Sequence, residues 1–157
     1  MNDNRTILFR GKRLQGGKWV EGYFYKSDIN ERERNSGKAS LIFTPDCDTF
    51  IMVPEAHNSF MVQAETVGQY TGREDRTGKK VFEGDILKIY KRSNSIGDYW
   101  FPPLEFPVNV VVKWDLCSWM WETLTGDKYY IHFPEAWCHY ECEVIGNIYD
   151  EKEKTDA

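Results

Sequence analysis

Three carboxylates flank one glycine-rich stretch of this chain, and paired carboxylates are the residue types that do general acid–base work. Glu65, Glu83 and Asp85 sit at the ends of Thr66 to Ile86, which reads TVGQYTGREDRTGKKVFEGDI. An acid pair would need the fold to bring two of them together and push their pKa values apart. Asp85 has a simpler local use, since aspartate in turns accepts hydrogen bonds from nearby backbone amides. The EGDI sequence favours that use.

Other chemistry is weaker. GREDRTGKK (Gly72 to Lys80) invites comparison with a phosphate-binding loop, but the interval from Gly72 to Gly78 is one residue too long. Lys80 also stands where a magnesium-binding Ser or Thr belongs. The segment reads as a charged turn with Lys79 and Lys80 in solvent. The four cysteines are Cys47, Cys117, Cys138 and Cys142. CHYEC pairs Cys138 with Cys142 around His139, yet a structural zinc site needs two such pairs and no second one exists. Free thiols are expected, with no metal and no cofactor. His57, His132 and His139 are scattered, and spacing assigns no nucleophile to any of them. No catalytic residue is expected.

The elements that must position these groups are mostly strands. Aromatic residues make up 15% of the 157 residues, which favours β structure and argues against disorder. A chain of this size buries roughly 70% of its unfolded surface, enough for a core without disulfides. Ile7 to Phe9 begins a strand, and Gly17 to Lys26 (GKWVEGYFYK) follows the turn LQGG as a hairpin partner. Ser27 to Lys38 is a polar, solvated hairpin tip. Leu41 to Phe43 and Phe50 to Val53 flank the turn PDCDT, and Phe60 to Val62 leads into the glycine stretch. There Gly68, Gly72, Gly78 and Gly84 mark tight turns. Ile86 to Tyr90 is a strand leaving it.

The second half alternates more strictly. In VNVVVKW, Val108, Val110, Val112 and Trp114 share one face, with Asn109, Val111 and Lys113 on the other. Cys117, Trp119 and Trp121 likewise oppose Ser118, Met120 and Glu122. TGDK turns the chain into Tyr129 to Phe133, completing a meander. Pro134 to Glu141 suits one or two helical turns, and Glu143 to Tyr149 is a final strand broken at Gly146. Residues 151–157 form a charged tail expected to fray.

One connection stands out. IGDYWFPPLEFP (Ile96 to Pro107) is too rich in proline for a central strand, yet carries Tyr99, Trp100, Phe101, Leu104 and Phe106. That much exposed apolar surface is unusual on a monomer. It is read as a lid over the open end of the core, as an arm that docks on another subunit or partner, or as an aromatic cage for a small molecule. Nucleic acid needs aromatic platforms and a positive groove. Trp114, Trp119 and Trp121 with Lys88, Lys91 and Arg92 could supply them, but a net charge of −5 opposes this and a core has first claim on the rings. There is no apolar run of membrane-spanning length and MNDNRTILFRGK lacks an apolar signal core, so a cytoplasmic protein is expected.

These residues resemble a known family. VGQYTG (Val67 to Gly72), Asp75, Gly78-Lys79 and FEGDIL (Phe82 to Leu87), then Val112-Lys113-Trp114, then EVIGNIY (Glu143 to Tyr149) are similar to the pattern of the YopX family of phage and prophage proteins. ILFRGKRLQGGKWVEGYFY resembles its opening strands. Arg73 departs from it, standing where an apolar residue is common, and Ile96 to Pro107 is a longer connection than the pattern needs. The resemblance implies a mainly β fold with an SH3-like β-roll or barrel in the C-terminal part, an N-terminal antiparallel hairpin region and at most one short helix. It implies a single domain over 1–150, divided near residue 65. The motif residues Gly68, Gln69, Tyr70, Gly72, Gly78, Gly84, Asp85, Gly146 and Asn147 are expected to be structural. No activity comes with the resemblance. The expectation is a non-catalytic binding or assembly module that self-associates or docks on a phage or host protein. A nucleic-acid accessory protein is the alternative, and an enzyme using the carboxylates is the third reading.

Overall fold

A computed structural model describes residues 6–27, 48–92, 106–115, 118–126, 128–129 and 140–150. They are mainly strands: β1 (Phe9–Lys12), β2 (Trp19–Lys26), β3 (Thr49–Val53), β4 (Asn58–Met61), β5 (Gly68–Glu74), β6 (Lys80–Phe82), β7 (Asp85–Lys91), β8 (Val108–Asp115), β9 (Ser118–Thr123), β10 (Lys128–Tyr129) and β11 (Tyr140–Asn147). They form antiparallel sheets in two compact units, Met1–Tyr70 and Thr71–Ala157, with the boundary inside β5.

In the first unit the order is β4–β3–β2–β1–β5. The chain just past β1 then bonds the far side of β4. Leu14 N–H donates to the Met61 carbonyl and Gln63 N–H to the Lys12 carbonyl, each at 2.9 Å, and Arg13 bridges Val62. The sheet therefore curls on itself and has no long open edge at β4, which removes a template for stray strand pairing. Its inner face is filled by Ile51 and Val62, both fully buried. Two glycines let the strands close in. A Cβ on Gly22 would lie 2.1 Å from the Met52 carbonyl oxygen, and one on Gly11 would press on Ile51 and Val62.

Helical structure among the described residues is confined to single turns, in keeping with the mainly β class expected. Two single-turn 3-10 segments occur, Pro54–Ala56 and Ala64–Thr66. Pro54 opens the first with a preset φ, and His57 closes it in the left-handed region at φ 48°. Thr66, buried, ties the second to β1: its hydroxyl donates to the Gln63 carbonyl and accepts the Lys12 N–H.

In the second unit β6 lies beside β5, and a second sheet runs β10–β9–β8–β7–β11. This order is compatible with the expected SH3-like roll. Alternation along β7, β8, β9 and β11 brings Leu87, Ile89, Val110, Val112, Trp121, Cys142 and Val144 into one core with Val81. Each fully buried aliphatic chain here contributes about 1.5–3 kcal/mol.

Three details differ from the sequence expectations. Trp114 shares its face with the core valines but is 51% exposed, because it lies near the strand end, edge-on to Trp119 at 4.9 Å. The final strand begins earlier, at Tyr140, so Tyr140 and Glu141 are extended and not helical. Gly146 does not break it. The register shifts between Val144 and Gly146, leaving Ile145 as the extra residue of a bulge. The expected strand Leu41 to Phe43, most of Tyr129 to Phe133, the turns from Pro134 and the tail at 151–157 lie outside the described residues.

Candidate functional site

The carboxylates come first, because the sequence offered them for chemistry. Asp85 is fully buried. Its Oδ2 accepts the Phe82 N–H at 2.8 Å and its Oδ1 accepts the Asn147 side-chain amide at 3.1 Å. Asn147 in turn accepts the Tyr149 N–H on Oδ1, while its own N–H donates to Asp150. Gly84, at φ 82°, threads this knot: its N–H donates to the Val112 carbonyl, and its carbonyl accepts the Ile148 N–H. FEGDIL and EVIGNIY therefore interlock. The expected turn role of Asp85 is what the structure shows.

Asp75 does the same work for the next turn. Its Oδ1 accepts the Thr77 N–H at 2.8 Å, the Thr77 hydroxyl at 2.6 Å and the Lys79 N–H at 3.0 Å. Its Oδ2 accepts the Val144 N–H at 2.9 Å. Burial would raise its pKa, but these donors outweigh burial and hold the carboxyl below its usual value. The amides that a phosphate-binding loop would offer are already occupied by the chain's own carboxylate. Lys79 is exposed as expected; Lys80 is half-buried. Glu65 is exposed in the second 3-10 segment, and Glu83 is half-buried.

The other motif residues divide by role. Gly72 and Gly78 have positive φ, whereas Gly68 is no turn residue: it lies buried in β5 opposite Arg10. Gln69 pairs with Phe9, and the Tyr70 N–H donates to the Leu8 carbonyl. Of the aromatic connection only Phe106 is described. It stacks on Tyr140 at 5.2 Å, against the core of its own unit. Tyr99, Trp100, Phe101 and Leu104 lie outside the described residues, as do Cys47, Cys117, Cys138, His132 and His139. Cys142 is a buried free thiol, pushed up to about 12 chiefly by burial and also by the Asp75 charge. Among the described residues no cluster of His, Cys, Asp and Glu could hold a metal.

Two of the three cations expected to flank a Trp platform face acids, and the third, Lys91, stands opposite Tyr140. Arg92 pairs with Glu141 at 3.5 Å, and Lys88 stands opposite Glu143. Arg76 also pairs with Glu143 and covers the Tyr90 ring at 4.3 Å. Trp121 is buried in the core.

A different face, in the first unit, has the features of a binding site. Cross-strand register puts Tyr25, Phe50 and Met61 in one row and Tyr23, Met52 and Ser59 in the next, on the side of the sheet away from Ile51. Tyr25 stacks on Phe50 at 5.2 Å, and Tyr23 and Tyr25 stay 50% and 40% exposed. The first row runs into a cleft of about 310 Å³, where Phe50 and Met61 meet Arg13, Leu14, Asn58 and Phe60. The Arg13 guanidinium lies over the Phe60 ring at 4.3 Å. Phe60 pairs with Ile51 and so belongs to the other side of the sheet; on the side of Tyr23 and Tyr25, Arg10 and Lys12 both stand over the Trp19 ring, at 4.6 and 5.3 Å. Sequence reasoning passed over this site. Its signal was present in the hairpin, where Trp19, Tyr23 and Tyr25 recur at period two among basic residues.

A family model described as YopX protein matches residues 8–154. The chain belongs to the YopX family. The interlocked motifs and the aromatic face of the first unit both fall within the matched span. No curated protein and no solved structure matches this YopX chain. Among its described residues no helix is long and apolar enough to cross a membrane.

Proposed function

We propose that this YopX-family chain is a binding or assembly module of phage or prophage origin, working in the cytoplasm without making or breaking bonds. The observation that carries this is the row Tyr25–Phe50–Met61, which stays open at Tyr25 and ends in a cleft. An aromatic row open at one end and leading into a concavity suits holding another molecule. The acids supply further support. Asp75 and Asp85 each spend both carboxylate oxygens on internal hydrogen bonds that hold the fold. The aromatic segment Ile96 to Pro107 serves in this reading as a second contact surface, used for self-association or for a phage or host protein.

The test compares the wild type with the double substitution Tyr23→Ser and Tyr25→Ser, both exposed positions. Light scattering reads self-association over a concentration series. Immobilised protein reads what is retained from a prophage-induced lysate. The substitution is expected to weaken self-association or retention while leaving the circular dichroism spectrum unchanged. Identical behaviour of both proteins overturns the assignment to this face.

A further inference from the structure

The charge of the hairpin that builds the face departs from that of the chain. Residues 6–27 carry Arg10, Lys12, Arg13 and Lys18 against one acid, Glu21, with Lys26 paired to Asp48 at 3.6 Å, while the whole chain is at −5. At physiological salt a charge is felt over about 8 Å, so this local excess, more than the chain total, sets the field beside the hairpin. Arg13 lies in the cleft, and its N–H donates to the Lys18 carbonyl at 2.9 Å, so the two cations share the hairpin tip. From that tip β2 carries Trp19, Tyr23 and Tyr25 along one face, and the two tyrosine rings toward its far end are exposed. Rings with open faces beside clustered cations are what an unpaired nucleic-acid strand recognises, bases by stacking and phosphates by charge.

We propose that the outer face of the first unit binds single-stranded nucleic acid. The inference rests on the binding-module reading and names its ligand. Successive bases stack along Tyr23 and Tyr25, and one unstacked base enters the cleft beside Phe50 and Met61. Arg13, Lys18 and Lys12 take the adjoining phosphates. The cleft, about 310 Å³, is at the small end of ligand pockets and suits one base with its sugar. A duplex hides its base faces and cannot fill this site. The acids interleaved with Lys88 and Arg92 make the second unit's basic strip the poorer candidate.

The experiment is fluorescence anisotropy with labelled oligothymidylate, oligouridylate and a duplex control, titrated with full-length protein from low to physiological salt. Single strands are expected to bind and the duplex not to. Three phosphate contacts on a single strand predict a log–log salt slope of about −2. Tyr25→Ser is expected to weaken binding about 10-fold, and Lys18→Ala to make the slope shallower by about 0.7. The pair Lys88→Ala and Lys91→Ala should leave affinity unchanged. Oligodeoxyuridylate, which differs from oligouridylate only in lacking the 2′-hydroxyl, tells whether that hydroxyl is read; a preference for either meets the proposal. Failure of every single strand at the lowest salt overturns it. So does equal binding of the duplex, or indifference to Tyr25→Ser and Lys18→Ala. If the oligonucleotides fail while Tyr23→Ser with Tyr25→Ser still alters self-association or protein retention, the nucleic-acid proposal falls and the binding-face reading stands.

Discussion

The Asn147 side-chain amide donates to the buried Asp85 carboxylate at 3.1 Å, joining residues 62 apart in sequence. This bond ties the entry of β7 to the exit of β11, and the Phe82 N–H on the other carboxylate oxygen fixes the turn from β6 into β7. A buried polar group left without its partner costs about 1–3 kcal/mol. Asp85→Ala would remove the acceptor shared by the Phe82 and Asn147 donors, and Asn147→Ala would take one of those donors from the carboxylate. Each is expected to lower the urea midpoint, with Asp85→Ala the larger effect. In a double-mutant cycle the pair should show coupling of about 0.5–3 kcal/mol. Additive losses would show that the two residues do not act as a unit.

Gly22 is expected to be the least replaceable glycine of the first unit. Its missing Cβ would meet a backbone oxygen at 2.1 Å, and backbone cannot swing aside as a side chain can. Gly22→Ala should cost about 3 kcal/mol or more, through separation of β2 from β3. Urea unfolding followed by tryptophan fluorescence measures it, and a loss no greater than for an exposed Gly→Ala change would contradict the packing described.

Acid stability should carry the mark of Asp75. Its carboxyl is held below its usual value by the Thr77, Val144 and Lys79 donors, so in the window just under that value the unfolded chain binds more protons than the folded one. Stability is therefore present at neutral pH and drains away as pH falls through the depressed folded pKa. Asp75→Asn removes the titrating group and should flatten the acid limb of stability against pH while lowering the neutral plateau. An unchanged acid limb would place the sensitivity elsewhere.

The Cys142 thiol should resist alkylation. Buried, and pushed up to about 12, it holds almost no thiolate at neutral pH, and the thiolate is the nucleophile. Treatment with iodoacetamide at neutral pH, followed by peptide mass mapping, should find Cys142 unmodified in native protein and modified in urea. The folded pKa lies above the unfolded one, so the stability from this neutral thiol is complete below about 9 and is lost as pH rises toward about 12.

How much was readable before folding depended on the sequence distance of each interaction. The period-two runs of β8 and β9 identified core residues such as Val110, Val112 and Trp121, because strand alternation is a local rule. Asp85 was legible as a turn acceptor because its partner Phe82 is three residues away. Trp114 shares the face of the core valines as alternation predicts, yet half of it stays exposed, because alternation tells which face a ring shares, not how far the core extends along that face. Gly68 was misread because glycine serves both left-handed turns and close strand contacts, and only the pairing with Arg10 separates these uses.

Local rules in the chain thus settled the mainly β class, the turns and the family motifs. They left open which strand lies beside which. The closure of Leu14 on Met61, the reach of Asp75 to Val144 and the row Tyr25–Phe50–Met61 each join segments far apart in the chain. Strand pairing has no short-range code: register follows from which faces bury together, and that is resolved only when the sheet forms. The candidate binding face is made of such pairings. For that reason only its hairpin part, Trp19, Tyr23 and Tyr25, had a signal in the chain, and the partners Phe50 and Met61 came with the folded sheet.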